Sequence, residues 1–243
     1  MTKSDCTIGF DRSEGRCLFK NLVRYDESIH EIDRNLSLLR PLGIEPPVHV
    51  MPRVYPSVSD KRYIDSFLEG LSVGKTKGLV ALAPGTVWNT KRWPKEKFAE
   101  LCRQLSSYRY GSILIGGRED VALCGEIASL AKVEGVFNAA GRLSLLQSAE
   151  LLRRCGLIIA NDSAPVHLAM AVGTPVLVIF GATVPEFGFA PCGPRDVVVE
   201  TIGLPCRPCS IHGGKKCPIG TFDCMRFISS ERVLREALSI LSA

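Results

Sequence analysis

From Leu79 onward, short apolar runs alternate with longer stretches in which apolar residues recur at helical spacing. That is the pattern of a parallel sheet whose strands are joined by crossover helices. The runs cover 79–83, 112–115, 136–138, 157–160 and 175–180. They are nearly all apolar, as strands covered on both faces are. Helices are predicted from about 94 to 105, with Pro94 suited to a first turn, and through Ile127 and Leu130. Another starts at Ser144 with Leu145, Leu146, Leu151 and Leu152 as its stripe, and one more runs from about 164 to 172. After a Gly- and Pro-rich stretch at 181–194 come a further strand at 197–199, a cysteine-rich loop and a closing helix capped by Ser229 or Ser230. The expected fold is α/β, an open doubly wound parallel sheet.

The first 75 residues read differently. A weak strand at 7–10, a helix from about 29 to 39, a Pro-rich segment at 41–56 and a short helical pattern at 63–71 are too little regular structure for an independent core. A boundary near 72–78 divides the chain into 1–75 and 76–243. No internal repeat and no low-complexity segment is present.

Composition narrows the field without choosing a function. A chain of 243 residues, 46% hydrophobic and 23% charged, has the make-up of a globular protein. The net charge of +5, from 30 basic and 25 acidic residues, suits an anionic partner. With 7% aromatic residues and no basic stripe interleaved with them, nucleic acid is ranked low as that partner. A phosphate-bearing small molecule or an anionic membrane face fits the charge equally well. No apolar run approaches the roughly 18 to 20 residues of a membrane-spanning helix, and the first residues lack the apolar core of a signal peptide, so the chain is read as cytoplasmic. Of the ten cysteines, Cys102, Cys124 and Cys155 fall in helical patterns where a small buried hydrophobe is expected.

Ligands of open parallel sheets bind beyond the carboxyl ends of the strands. Three loops there carry more polar residues than a turn needs: 84–94, 116–120 and 161–167. In the third, Asp162 or Ser163 is expected to cap a helix whose first N–H groups form an anion site, with small residues at Ser163 and Ala164 and His167 one turn on. Lys91 from the first loop would bring a compact positive charge to the same diphosphate. Taken alone, Asp162-Ser163 is better explained as a plain helix cap, and it is the three loops together that reverse the balance. Trp93, next to Pro94 and Phe98, reads as core rather than site.

Five motifs taken in order carry a resemblance: Pro84-Gly85 with Lys91-Arg92-Trp93-Pro94, Gly116-Gly117 with Glu119, Asn138-Ala139-Ala140-Gly141, Asn161-Asp162-Ser163 with His167, and Gly173-Thr174-Pro175 ahead of Phe180-Gly181. The set is similar to that of the glycosyltransferase family 9 heptosyltransferases. It covers about 79–241 well and 8–44 more loosely, where Tyr25-Asp26 and His30-Glu31-Ile32-Asp33-Arg34 resemble the close of the family's first domain. The resemblance implies a GT-B fold with Rossmann-like domains, the C-terminal one binding ADP-heptose and the N-terminal one the lipid A and inner-core acceptor, in lipopolysaccharide core biosynthesis. Lys91 would then contact the donor phosphates, together with Thr86, Ser163 and Ala164. Glu119 would hold the adenosine ribose, and Leu143 would line the adenine pocket. Asp162 would bind the heptose hydroxyls, and His167 would support the phosphate side. On the residues alone, Glu119 is as well explained as a solvated carboxylate at a helix start.

Family members begin with a strand and a glycine-rich loop bearing an Asp that resembles the catalytic base. Nothing in this sequence matches them, so the first domain is expected to be incomplete and no catalytic residue is assigned within the chain. A fragment, a shortened reading frame and a natural half that works with another chain all remain open. The resemblance thus implies either an inverting heptosyltransferase whose activity alone is in question, or a non-catalytic nucleotide-sugar-binding module or half of a split transferase. A dinucleotide-dependent oxidoreductase is disfavoured, because no Gly-x-Gly-x-x-Gly follows the first strand. Chemistry without a cofactor is expected. Cys206, Cys209, Cys217 and Cys224 could hold a structural zinc or iron ion, or remain paired or free thiols, their spacing being irregular for a metal site. Ile211, His212, Lys215 and Lys216 nearby suit an anionic membrane face or the acceptor phosphates.

Overall fold

The computed structural model describes residues 6–47, 50–71 and 76–242. Contacts group the chain into two compact units, one of residues 1–52 with 185–190 and one of 53–184 with 191–243. The expected boundary at 72–78 falls largely on 72–75, outside the described residues.

In the first unit a short parallel pair, β1 (Ile8–Phe10) and β2 (Asn21–Val23), is followed by helix α1 (Glu31–Leu36) and a 3-10 turn. β2 has no counterpart in the sequence reading, because three residues are too few to show a period. Arg34 is the hub. Only 2% exposed, it donates to the carbonyls of Asp26 and Ile29 and to the Tyr25 hydroxyl, pairs with Glu31, and stacks on the Tyr25 ring. The returning segment 185–190 is held by the Glu31 N–H on the Gly188 carbonyl and by the His30 ring on the Ala190 carbonyl. Gly188 has φ +86°, and a Cβ there would lie 2.8 Å from the Ile29 carbonyl oxygen.

The second unit opens with α2 (Val58–Glu69), capped by a box in which Ser57 accepts from the Asp60 N–H and the Asp60 carboxylate accepts from the Ser57 N–H. The sequence reading saw only its second half. A six-stranded parallel sheet follows: β3 (Gly78–Ala83), β4 (Tyr110–Leu114), β5 (Val136–Asn138), β6 (Leu157–Asn161), β7 (Val176–Phe180) and β8 (Val197–Glu200). The helices between them are α3 (Lys95–Ser107), α4 (Val121–Ala131), α5 (Leu145–Arg153) and α6 (Ala164–Met170), and α7 (Asp223–Arg226) and α8 (Ser230–Ser242) close the chain. Spatial order is β5-β4-β3-β6-β7-β8. The chain therefore runs outward from β3 to one edge, then returns to β6 and runs to the other. This is the doubly wound order whose reversal leaves a crevice beyond the carboxyl ends of the two central strands.

Side chains alternate across the sheet. Val80, Leu82, Leu114, Leu157, Ile159, Leu177 and Ile179 join α3, α4 and α8 in one core, in which Trp93 meets Phe98 edge to face at 4.9 Å and donates to the Ile228 carbonyl. Trp93 is thus core, as expected. Cys102, Cys124 and Cys155 are buried too, and burial lifts their thiols to about 11, 12 and 12 respectively. α2 lies against α5, with Arg154 paired to Asp65 at 2.8 Å and Arg142 over the Phe67 ring.

Candidate functional site

The site is built where the sheet reverses. Asn161, the last residue of β6, is 0% exposed. Its amide donates to the Pro84 carbonyl (2.8 Å) and accepts from the Trp93 N–H (3.0 Å). One side chain therefore pins both ends of the loop after β3 to the end of β6. Within that loop the Arg92 guanidinium donates twice to the Thr86 carbonyl, at 3.0 and 2.7 Å, and the 3-10 turn Asn89–Lys91 presents Lys91.

Lys91 Nζ lies 2.6 Å from Asp162 Oδ2, with both side chains 12% exposed. The same oxygen accepts from the Thr183 hydroxyl, beyond β7, at 2.7 Å. An ammonium and a carboxylate, both largely withdrawn from water, thus meet in the crevice between β3 and β6. A pair of this kind contributes little net stability, since desolvation offsets the attraction. It does fix a cation in place without leaving an uncompensated buried charge.

α6 departs from the expectation that Asp162 or Ser163 caps it. Ser163 occupies the cap position with extended backbone but makes no capping bond; its hydroxyl donates to the Asn161 carbonyl. The Asp162 carboxylate is turned to Lys91 and Thr183 instead. Pro165 brings no N–H, and the Val166 N–H is used on the Ser163 carbonyl. The helix start therefore offers fewer donors than a full first turn, and Lys91 is the cation of this crevice. Ala164 and His167 are exposed on α6.

Glu119 is exposed in the 3-10 turn after β4, its carboxylate folded over Gly117. The carboxylate that starts the helix is its neighbour Asp120, 9% exposed, which accepts from the Gly117 N–H. Burial pushes Asp120 above the usual carboxylate range, against the opposing pull of that N–H. Sequence reasoning missed Asp120. Its signal was the glycines, since a Cβ at Gly85 would sit 2.1 Å from Asp120 Oδ1 and one at Gly116 would sit 2.6 Å from its Cβ. The loop after β5 leans on the one after β4 through the Gly141 N–H on the Gly116 carbonyl, and it delivers Leu143, half-buried, just before the Ser144 capping box. The loops after β3 and β6 thus bring Lys91, Asp162 and Ser163 together. Thr86 shares the Lys91 loop, and Glu119 and Leu143 sit on the next two loops outward.

Cys206, Cys209, Cys217 and Cys224 are thiols that perturb one another. Burial, with Cys206 and Cys217 nearby, raises Cys209, and burial and Cys209 raise Cys224. At Cys217 burial would raise the thiol, but N–H groups of residues 219–222 outweigh it and the net shift is downward. Among the described residues no three His, Cys, Asp or Glu side chains are arranged to hold a metal ion. A separate cavity of about 320 Å³, lined by Arg153, Thr174 and Arg195, opens at the amino ends of β6 and β7, away from this crevice.

A doubly wound Rossmann-like domain with a charged crevice at its switch point belongs to the class of open α/β proteins that bind ligands beyond the carboxyl ends of their strands. The chain belongs to glycosyltransferase family 9 (heptosyltransferase), whose family model matches residues 1–218. Among curated relatives it is 33% identical over 154 residues to lipopolysaccharide heptosyltransferase 3 of Escherichia coli, covering 63% of this chain and 44% of that protein. It is 30% identical over 175 residues to lipopolysaccharide heptosyltransferase 2 of Salmonella typhimurium, covering 70% and 49%. The chain thus spans about half the length of the curated relatives it matches. Among solved structures, a family 9 glycosyltransferase of Veillonella parvula superposes with a TM-score of 0.83 at 22% identity, over 99% of this chain and 68% of that one. ADP-heptose lipopolysaccharide heptosyltransferase II of E. coli does so with 0.78 at 24% identity, over 98% and 70%. The fold is of the GT-B type.

Proposed function

We propose that this chain supplies the donor-binding part of an inverting glycosyltransferase of lipopolysaccharide core assembly, which transfers heptose from ADP-heptose to the lipid A and inner-core acceptor. The observation that carries the reading is the Lys91–Asp162 pair at the switch point. A diphosphate entering the crevice gives the ammonium a second anion to neutralise, while Asp162 keeps the Thr183 hydroxyl and turns its other oxygen to sugar hydroxyls. Thr86, Ser163, Ala164 and His167 line the phosphate side, Glu119 takes the ribose hydroxyls, and Leu143 packs on the adenine. These groups bind and orient the donor, and the transfer itself is assigned no metal.

The setting is read as cytoplasmic, with a peripheral membrane contact. In support, Ile211, His212, Lys215 and Lys216 are exposed together, and among the described residues no helix is long and apolar enough to cross a membrane. Calorimetric titration of ADP and ADP-heptose into the wild type, Asp162→Ala and Lys91→Ala tests the site, and unchanged binding in both variants would remove it. Binding without heptose transfer to an acceptor would instead favour a nucleotide-sugar-binding module or one half of a split transferase.

A further inference from the structure

The cysteine-rich loop is fastened beside both members of the Lys91–Asp162 pair, at Thr90 next to Lys91 and at Thr183, which holds Asp162. At its start, Arg207, with a side chain only 6% exposed, donates to the Thr183 carbonyl (2.8 Å) and the Thr201 carbonyl (2.5 Å) and pairs with Glu200 (2.7 Å). Two residues on, the Cys209 N–H donates to the Ala182 carbonyl at 2.8 Å. The Ala182–Thr183 segment is therefore gripped twice by the loop, and Thr183 is the residue whose hydroxyl holds Asp162.

At the loop's midpoint the Gly214 N–H donates to Thr90 Oγ1 (2.7 Å) and the Thr90 N–H donates to the Gly214 carbonyl (3.1 Å). Thr90 is 2% exposed and precedes Lys91. Gly213, at φ +87°, runs against the lysine stem: a Cβ there would lie 3.0 Å from both Cγ and Cδ of Lys91. Only glycine takes this conformation readily and lets the chain pass so close. Lys91, Asp162, Thr183, the loop and Thr90 thus form a closed circuit of contacts.

We propose that the cysteine-rich loop is a strap that positions Lys91 against Asp162, with Thr90 and Arg207 as positioning residues, so that affinity for a nucleoside diphosphate depends on them. This rests on the donor-site reading above. A flexible lysine held in one place has already lost the rotamer freedom that binding would otherwise cost.

The test is an ADP titration of the full chain by calorimetry, with melting temperatures recorded, for the wild type, Thr90→Val, Thr90→Ser, Lys91→Ala and the Thr90→Val/Lys91→Ala double variant. Thr90→Val is expected to weaken ADP binding by roughly tenfold, about what the loss of one fixed hydrogen bond carries. Thr90→Ser is expected to bind as the wild type does. The double variant is expected to bind no worse than Lys91→Ala, because Thr90 acts through Lys91. Wild-type affinity in Thr90→Val, or independent losses in the double variant, would overturn the strap. If Thr90→Val does not fold, Arg207→Lys replaces it; this keeps the charge beside Glu200 but cannot span both carbonyls, and wild-type binding there is equally fatal. Full ADP binding by Lys91→Ala would overturn the donor-site reading, and the strap with it, and so is told apart from a failure at Thr90 alone.

Discussion

Asn161→Ala is expected to destabilise the second unit by about 2 to 5 kcal/mol. The side chain is fully buried and makes two hydrogen bonds, to the Pro84 carbonyl and from the Trp93 N–H. Alanine leaves both backbone groups without this partner, and each buried group so stranded costs about 1 to 3 kcal/mol. The small cavity adds to this, while water entering it would return part of the loss. For a chain of this size each kcal/mol lowers the melting temperature by about 2 to 4 °C, so a fall of roughly 4 to 20 °C is anticipated. Asn161→Asp makes the argument sharper. It keeps the acceptor for Trp93 but points a carboxylate oxygen at the Pro84 carbonyl in a fully buried position, and is expected to cost as much as alanine or more at neutral pH. The assay is urea unfolding followed by tryptophan fluorescence, from Trp88 and Trp93, and circular dichroism. A midpoint in Asn161→Ala within the equivalent of about 0.5 kcal/mol of the wild type, the range of an ordinary surface change, would show that Asn161 does not pin the loop.

Gly85→Ala should destabilise strongly, because its Cβ would fall 2.1 Å from Asp120 Oδ1, and the added change Asp120→Ala should recover much of the loss; a double variant no better than the single would deny the contact. Iodoacetamide near neutral pH should modify Cys217 first among the four cysteines of the strap, and should leave Cys102, Cys124 and Cys155, with thiols lifted to about 11, 12 and 12, unmodified in the native state. Mass mapping that found Cys155 modified before Cys217 would contradict the burial argument. Elemental analysis of protein purified under reducing conditions decides the state of Cys206, Cys209, Cys217 and Cys224, which perturb one another: about one zinc or iron ion per chain would show that the thiols close around a metal, and less than about 0.2 per chain would remove the metal site.

The sheet was legible in the sequence because strands covered on both faces must be apolar throughout, and the runs at 79–83, 157–160 and 175–180 stand out against the helices between them. The positions of Lys91 and Asp162 were legible for a related reason. The loops that follow central parallel strands open at the carboxyl edge, and these two carry charge where a turn needs none. β2 and the first half of α2 were not legible, the one being three residues long and the other starting at a capping box inside a Pro-rich segment. Asp120 looked like one more polar loop residue. Only the packing of the β3 and β4 loops put it against Gly85 and Gly116, where a methyl group has no room. The expected cap at Asp162–Ser163 gave way for the same kind of reason. Asp162 could satisfy either a helix end or a lysine, and the lysine sits 71 positions away in a loop that the neighbouring strand brings alongside. Local pattern therefore determined the strands, the loops and which of them carry charge. Which charge meets which, and the use of the cysteine-rich loop to hold both, was decided by a strand order that places β3 beside β6 and by contacts that no periodicity records.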